Sequence, residues 1–235
     1  GHNGNMDKQQ ESNATGRTSG TAETIPPPMT RLANPGCLLI PDETGAVSFG
    51  CDQDWYGTRW KRQAGCGPNV ATNLLVYLQC AGRINLPYAT GDKAACMHLM
   101  EAVWKHVTPS LLGVHTTRRF ADGLHAFARS HNLPLSLDAL EVPRKRGSRP
   151  SPAETEAFLE AGLSLDCPVA FLNLHNGSVE PLDAWHWVTV VGLTRDPAGD
   201  VSLEIYDGDR SFQADLAAWL ASTKAGGGFV RLRGE

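Results

Sequence analysis

The chain has 235 residues, 41% of them hydrophobic and 20% charged, with a net charge of −4 at neutral pH and a pI near 6.1. That is an ordinary globular composition, with room for one good-sized domain or a domain plus a tail. The charge gives no electrostatic reason to expect nucleic acid or an anionic membrane surface as partner, and no apolar run approaches the ~20 residues that a membrane span needs.

Residues 1–5 precede Met6 and read as an appended remnant, and no apolar signal-peptide core follows. The expected compartment is cytoplasmic, with secretion the alternative if a leader was trimmed. Residues 1–35 are rich in Gly, Ser, Thr, Asn and Pro and read as a disordered tail, leaving 36–235 as a single domain. Cys37–Ile40 and Ala46–Phe49, separated by Pro-Asp-Glu-Thr-Gly, predict a small β-hairpin. An aromatic stretch with Trp55, Tyr56 and Trp60 leads to the glycine-flanked Cys66. Val70, Leu74, Leu75, Tyr77 and Leu78 then have helical spacing and predict a buried helix over 68–78. Two more helices are expected over about 93–106 and 116–130, and a strand over 135–142. Ser151-Pro-Ala-Glu carries the signature of a helix start, with Ser151 as cap, Pro152 in the first turn and Glu154 completing a capping box.

Beyond this point the period changes. Residues 169–174, 185–193, 201–206 and 228–232 are short β-rich runs, with one late helix expected over about 213–222. Helices first and strands second predict an α+β domain with segregated layers. The basic residues Arg144, Lys145, Arg146 and Arg149 sit among Gly, Ser and Pro and read as a solvated loop.

The six cysteines form no C-x-x-C pair and lack the density of a disulfide scaffold, so no structural zinc site is expected. Cys80 and Cys96 fall in apolar helical contexts and read as small buried hydrophobes. Cys66 is different. In Gln63-Ala-Gly-Cys-Gly-Pro-Asn it stands where a glycine-rich turn meets a helix, with Pro68 suited to the first turn. The free N–H groups and positive dipole end favour a thiolate over a thiol there. The flanking glycines would also clear space for a substrate backbone and leave the Cys66 N–H as an oxyanion donor. The plainer reading is a structural cysteine at a helix cap.

His186 begins the apolar strand Trp185-His186-Trp187-Val-Thr-Val-Val-Gly, where its ring nitrogens need partners. It is placed either as a general base or as a histidine satisfied by backbone. Asp207, in Glu204-Ile-Tyr-Asp-Gly-Asp, closes the next strand and would accept Nδ1–H of His186, with Asp209 as competitor and simple turn chemistry as the plain alternative. A cysteine at a helix start, a histidine at a strand start and an acid at the next strand's end together follow the logic of a cysteine triad.

The strings Ala64-Gly-Cys-Gly-Pro, Trp185-His186-Trp-Val-Thr-Val-Val-Gly and Ile205-Tyr-Asp-Gly resemble the papain-like cysteine peptidase superfamily, in particular the C39-like peptidase group. The resemblance implies a papain-like two-lobe fold, with a helical lobe led by the cysteine helix and a C-terminal antiparallel β lobe carrying His186 and Asp207. It implies thiol-dependent acyl transfer on a peptide or protein substrate, without metal or organic cofactor. Such enzymes usually carry a glutamine six residues before the cysteine, where this chain has Trp60. Gln53, in Asp52-Gln-Asp-Trp-Tyr, is the favoured replacement as second oxyanion donor, with Gln63 the other candidate. The aromatics Trp55, Tyr56, Trp60, Trp185 and Trp187 either line a cleft or fill the core. The alternatives are a catalytically silent peptide- or protein-binding module, a deamidase or acyltransferase using the same triad, and a secreted protein with Cys37, Cys51 or Cys167 in a disulfide.

Overall fold

Helix starts in this chain are written in short polar side chains. In the computed structural model, which describes residues 28–234, five of six α-helices begin with a side chain that accepts a backbone N–H three residues on. Thr58 caps α1 (Arg59–Ala64), Asp92 caps α3 (Lys93–Trp104) and Thr116 caps α4 (Thr117–Ser130). Ser151 caps α5 (Pro152–Ser164), its Oγ accepting from Glu154 N–H at 3.1 Å, and Asp215 caps α6 (Leu216–Ser222). The exception is α2 (Cys66–Cys80), whose cap position is Gly65 and has no side chain to offer. Every residue of α2 from Gly67 to Leu78 is buried, as its apolar pattern requires.

The domain is mixed α+β around a seven-stranded antiparallel sheet. Its order is β4 (Leu137–Val142), β9 (Gly227–Leu232), β5 (Val169–Asn173), β6 (His186–Arg195), β7 (Val201–Asp207) and β8 (Arg210–Asp215), with β1 (Pro28–Arg31) paired to β6. β2 (Leu39–Pro41) and β3 (Val47–Phe49) form a separate hairpin. β5 and most of β6 are buried on both faces, which explains their unbroken apolar runs. One face meets α2, where Asn73 Nδ2 donates to Thr189 Oγ1 at 3.0 Å. On the other, Phe171 stacks with Phe229 and meets Trp219 of α6 edge-on.

Several elements differ from the sequence reading. Part of the expected tail is ordered: residues 28–37 run from the sheet to the far end of α2, while residues 1–27 lie outside the described residues. Arg31 makes a two-point ion pair with Glu204 (2.8 and 2.6 Å), Ala33 N–H donates to Asp166 and Asn34 N–H to the Tyr77 hydroxyl. These are backbone and charge contacts, so no apolar pattern announces them. β8 occupies the first residues of the expected late helix, which starts only where Asp215 caps it. α1 was not foreseen because Arg-Trp-Lys-Arg-Gln-Ala has no apolar period. Arg149 is not a solvated charge; its guanidinium donates to the carbonyls of Pro143, Leu220, Thr223 and Arg144 at 2.7–2.9 Å.

Cys80 is likewise not a lone hydrophobe: it forms a disulfide with Cys37, 43 residues away. Closing a loop of that length removes denatured-state entropy worth about 4 kcal/mol in the chain-entropy description. Cys37→Ser should lose stability of that order in denaturant unfolding, and reductant should lower the wild type to the same level while leaving the variant unchanged.

Candidate active site

Cys66 is the first residue of α2. Asn69 N–H makes the helix's first internal bond, to Gly65 O at 2.9 Å, so the N–H groups of Cys66 and Gly67 lie ahead of it. α2 therefore presents an uncapped, positive N-terminus around the thiol. The flanking glycines have a different cause from the one expected. A Cβ on Gly65 would collide with the Lys61 carbonyl and come within 2.6 Å of the Tyr56 ring; one on Gly67 would lie 2.7 Å from Val114. They let α1 and the 105–116 loop pack directly against the start of α2, rather than clearing room for a substrate.

His186, first residue of β6, brings Nε2 to 2.9 Å from Asp207 Oδ1, and Cys66 is near enough to favour the charged form of its ring. The expected arrangement on the ring is reversed: Asp207 accepts from Nε2–H, which leaves Nδ1 free of the acid. Burial disfavours the charged imidazole, but Asp207 and Cys66 together outweigh it and hold His186 at about 10, far above its ordinary value. Asp207 rather than Asp209 takes this bond. Its position is fixed by the β7–β8 turn, which docks onto the β2–β3 hairpin through paired Phe49–Gly208 backbone bonds (2.7 and 3.1 Å).

The two tryptophans beside His186 divide their roles. Trp187 is core, stacked on Phe120 with Nε1–H donating to Val114 O at 2.6 Å. Trp185 is half exposed and donates to Leu112 O at 2.8 Å. Its φ of +59° is a left-handed conformation that a bulky side chain adopts only under constraint. Both indoles thereby strap the 105–116 loop beside Cys66. A cavity of about 260 Å³ lies there, lined by Cys66, Trp60, Leu112, Trp185 and Gln63 among others. Tyr56 is core and Trp55 is half-buried under Lys93, away from this cavity.

A second cavity, of about 330 Å³, opens on His186 and Asp207 and is lined by Gln53. Gln53 Nε2 donates to Arg62 O at 2.8 Å, which anchors the amide and engages one of its two N–H groups. Gln63 is exposed and shares the cavity of Cys66. The loop carrying Gln53 is held by two residues the sequence reading passed over. Asn73 Oδ1 accepts from Cys51 N–H at 2.7 Å and Asn69 Nδ2 donates to Cys51 O at 3.0 Å. Two asparagines one turn apart in an otherwise apolar buried helix were the available signal, since each must find partners.

Of the four free cysteines, Cys66 alone is not buried. The neighbouring Cys96 thiol and burial raise Cys51, and burial pushes Cys167 up to about 12. Asp183, His186 and Asp207 bring one donor atom each within 4.8 Å of one another, a set that by donor type could hold a cation. Arg210 already stands there, with Nη2 at 3.4 Å from Asp183 and 3.8 Å from Asp207. No helix among the described residues is long and apolar enough to cross a membrane. No family model matches the chain, and no curated protein matches it.

Proposed function

We propose that the chain is a thiol-dependent hydrolase of papain-like type, akin to C39-like peptidases, that cleaves a peptide or amide through Cys66, His186 and Asp207. The observation that carries this reading is the ring of His186, bonded to Asp207 and held in its charged form by Asp207 and the nearby Cys66. The Cys66 thiolate attacks the acyl carbonyl, and the oxyanion is held by the Cys66 N–H and the second N–H of Gln53. His186, as imidazolium, gives its proton to the departing amine and then takes one from the water that hydrolyses the thioester. Asp207 holds the ring in place throughout. Deamidation or acyl transfer to another acceptor uses the same steps with a different leaving group or nucleophile. The Cys37–Cys80 disulfide favours an oxidising compartment over the cytoplasm.

Native alkylation tests the nucleophile. With iodoacetamide at neutral pH, peptide mapping should find Cys66 modified and the buried Cys51, Cys96 and Cys167 spared, and Cys66→Ala should leave a folded protein without label. Equal labelling of wild type and variant would sink the reading. A silent, peptide-binding module is the second reading, favoured by the engagement of Gln53 with Arg62 O. Gln53→Ala separates the two. A working oxyanion donor should cost on the order of 10²–10³ in kcat when removed while Cys66 alkylation stays near wild type; a silent module has no turnover to lose.

A further inference from the structure

The cavity beside His186 has a chemistry that the triad does not account for. Five carboxylates face it, Asp52, Asp54, Asp183, Asp207 and Asp209, against two cations, the Arg210 guanidinium and the His186 imidazolium. That arginine is engaged by Pro181 O at 2.5 Å as well as by Asp183 and Asp207. Among the described residues, Asp52, Asp54 and Asp209 take part in no ion pair. Asp52 has its carboxyl raised, chiefly by burial, against the Asp54 N–H bond that lowers it, with smaller contributions from the charges of Asp54, Asp209 and Asp207.

A second observation is independent of charge. Asn69 lines the same cavity, is 8% exposed and leaves Oδ1 without a donor, its Nδ2 being bonded to Cys51 O. A buried acceptor without a protein donor is costly, and a water or a ligand N–H that reached it would relieve the cost. The cavity also opens on His186 and not on Cys66, so in an acyl transfer it lies on the side where the proton is delivered and the amine departs.

We propose that this cavity is a leaving-group subsite that binds a cationic, N–H-rich group, the guanidinium or ammonium of an arginine or lysine on the released side of the scissile bond. The site thus selects substrates by the charge of the half that leaves, a selection that rests on the hydrolase reading above. Acyl transfer to an added amine probes the same subsite in reverse. The amine nitrogen forms a bond to the thioester carbon, the carbon–sulfur bond breaks to return the Cys66 thiolate, and the amine's proton passes to His186.

The test pairs argininamide with citrullinamide, which keeps the shape and loses the side-chain charge. In Cys66→Ala protein, calorimetric titration should give argininamide binding about tenfold tighter than citrullinamide, a gap that added salt narrows. Asp209→Asn and Asp52→Asn should each narrow it, and Asn at 52 can still cap the 53–55 turn. In wild-type protein turning over an N-acyl phenylalanine p-nitrophenyl ester, argininamide should capture the acyl group more efficiently than citrullinamide by a similar factor. Equal binding of the two amides, or a preference indifferent to both substitutions, overturns the subsite whether or not the ester is turned over. Loss of ester turnover with the binding preference intact would instead overturn the hydrolase reading and leave a cation-binding cavity.

Discussion

His186→Ala is expected to reduce turnover of any peptide or amide substrate by on the order of 10⁴–10⁶. The imidazole is bonded to the acid and stands near Cys66, so in the proposed mechanism its removal takes away the ion-pair partner of the thiolate, the proton donor to the leaving group and the base for water together. Groups that act as a unit are strongly non-additive, and the double variant Cys66→Ala/His186→Ala should be scarcely worse than either single change. Folding should survive. The His186 and Asp207 side chains are 16% and 18% exposed, and Arg210 Nη2, 3.8 Å from Asp207, remains as a partner for the carboxylate. A melting curve close to wild type together with an unchanged rate would exclude His186 from the chemistry. Multiplicative loss in the double variant would mean that cysteine and histidine act independently.

Cys66, His186 and Asp207 could be singled out from sequence because each sits where one element gives way to another, and the signals for those junctions are local. Cys66 stands at a turn-to-helix junction, His186 at the first residue of an apolar run, and Asp207 just before a Gly turn. What the sequence could not supply was relative orientation: that Nε2 rather than Nδ1 of His186 meets the acid depends on how β6 and β7 are staggered, with a register irregularity between Val190 and Gly192. The Cys37–Cys80 pair was hidden for a similar reason, since only the path of residues 28–37 along α2 brings the two together. β1, α1 and β8 carry too little apolar periodicity to be recognised, because they are held by backbone pairing, caps and ion pairs. The acidic cavity is the extreme case: its aspartates come from three separate stretches of chain, and no window of sequence contains them all.

Asp207→Asn is expected to lower kcat/KM by on the order of 10²–10⁴ and to move the alkaline limb of its pH profile. In the wild type His186 stays protonated up to about 10, so the imidazolium needed by the thiolate and the leaving group persists through neutral and mildly alkaline pH. An asparagine still fits the ring but removes the charged acceptor, and burial, the largest single influence on His186, then disfavours its protonation with less opposition. The alkaline limb should fall toward neutrality. Stability should follow the same linkage. The raised value means that the folded chain binds a proton more tightly than the unfolded one, whose histidine titrates near 6.5. The stabilisation is fully present below about 6.5 and is lost as pH rises through about 10. The gap in unfolding free energy between wild type and Asp207→Asn should accordingly be widest near pH 6 and close in alkali. A gap that is constant across this range, or an alkaline limb that the substitution does not move, would show that Asp207 packs against His186 without setting its charge.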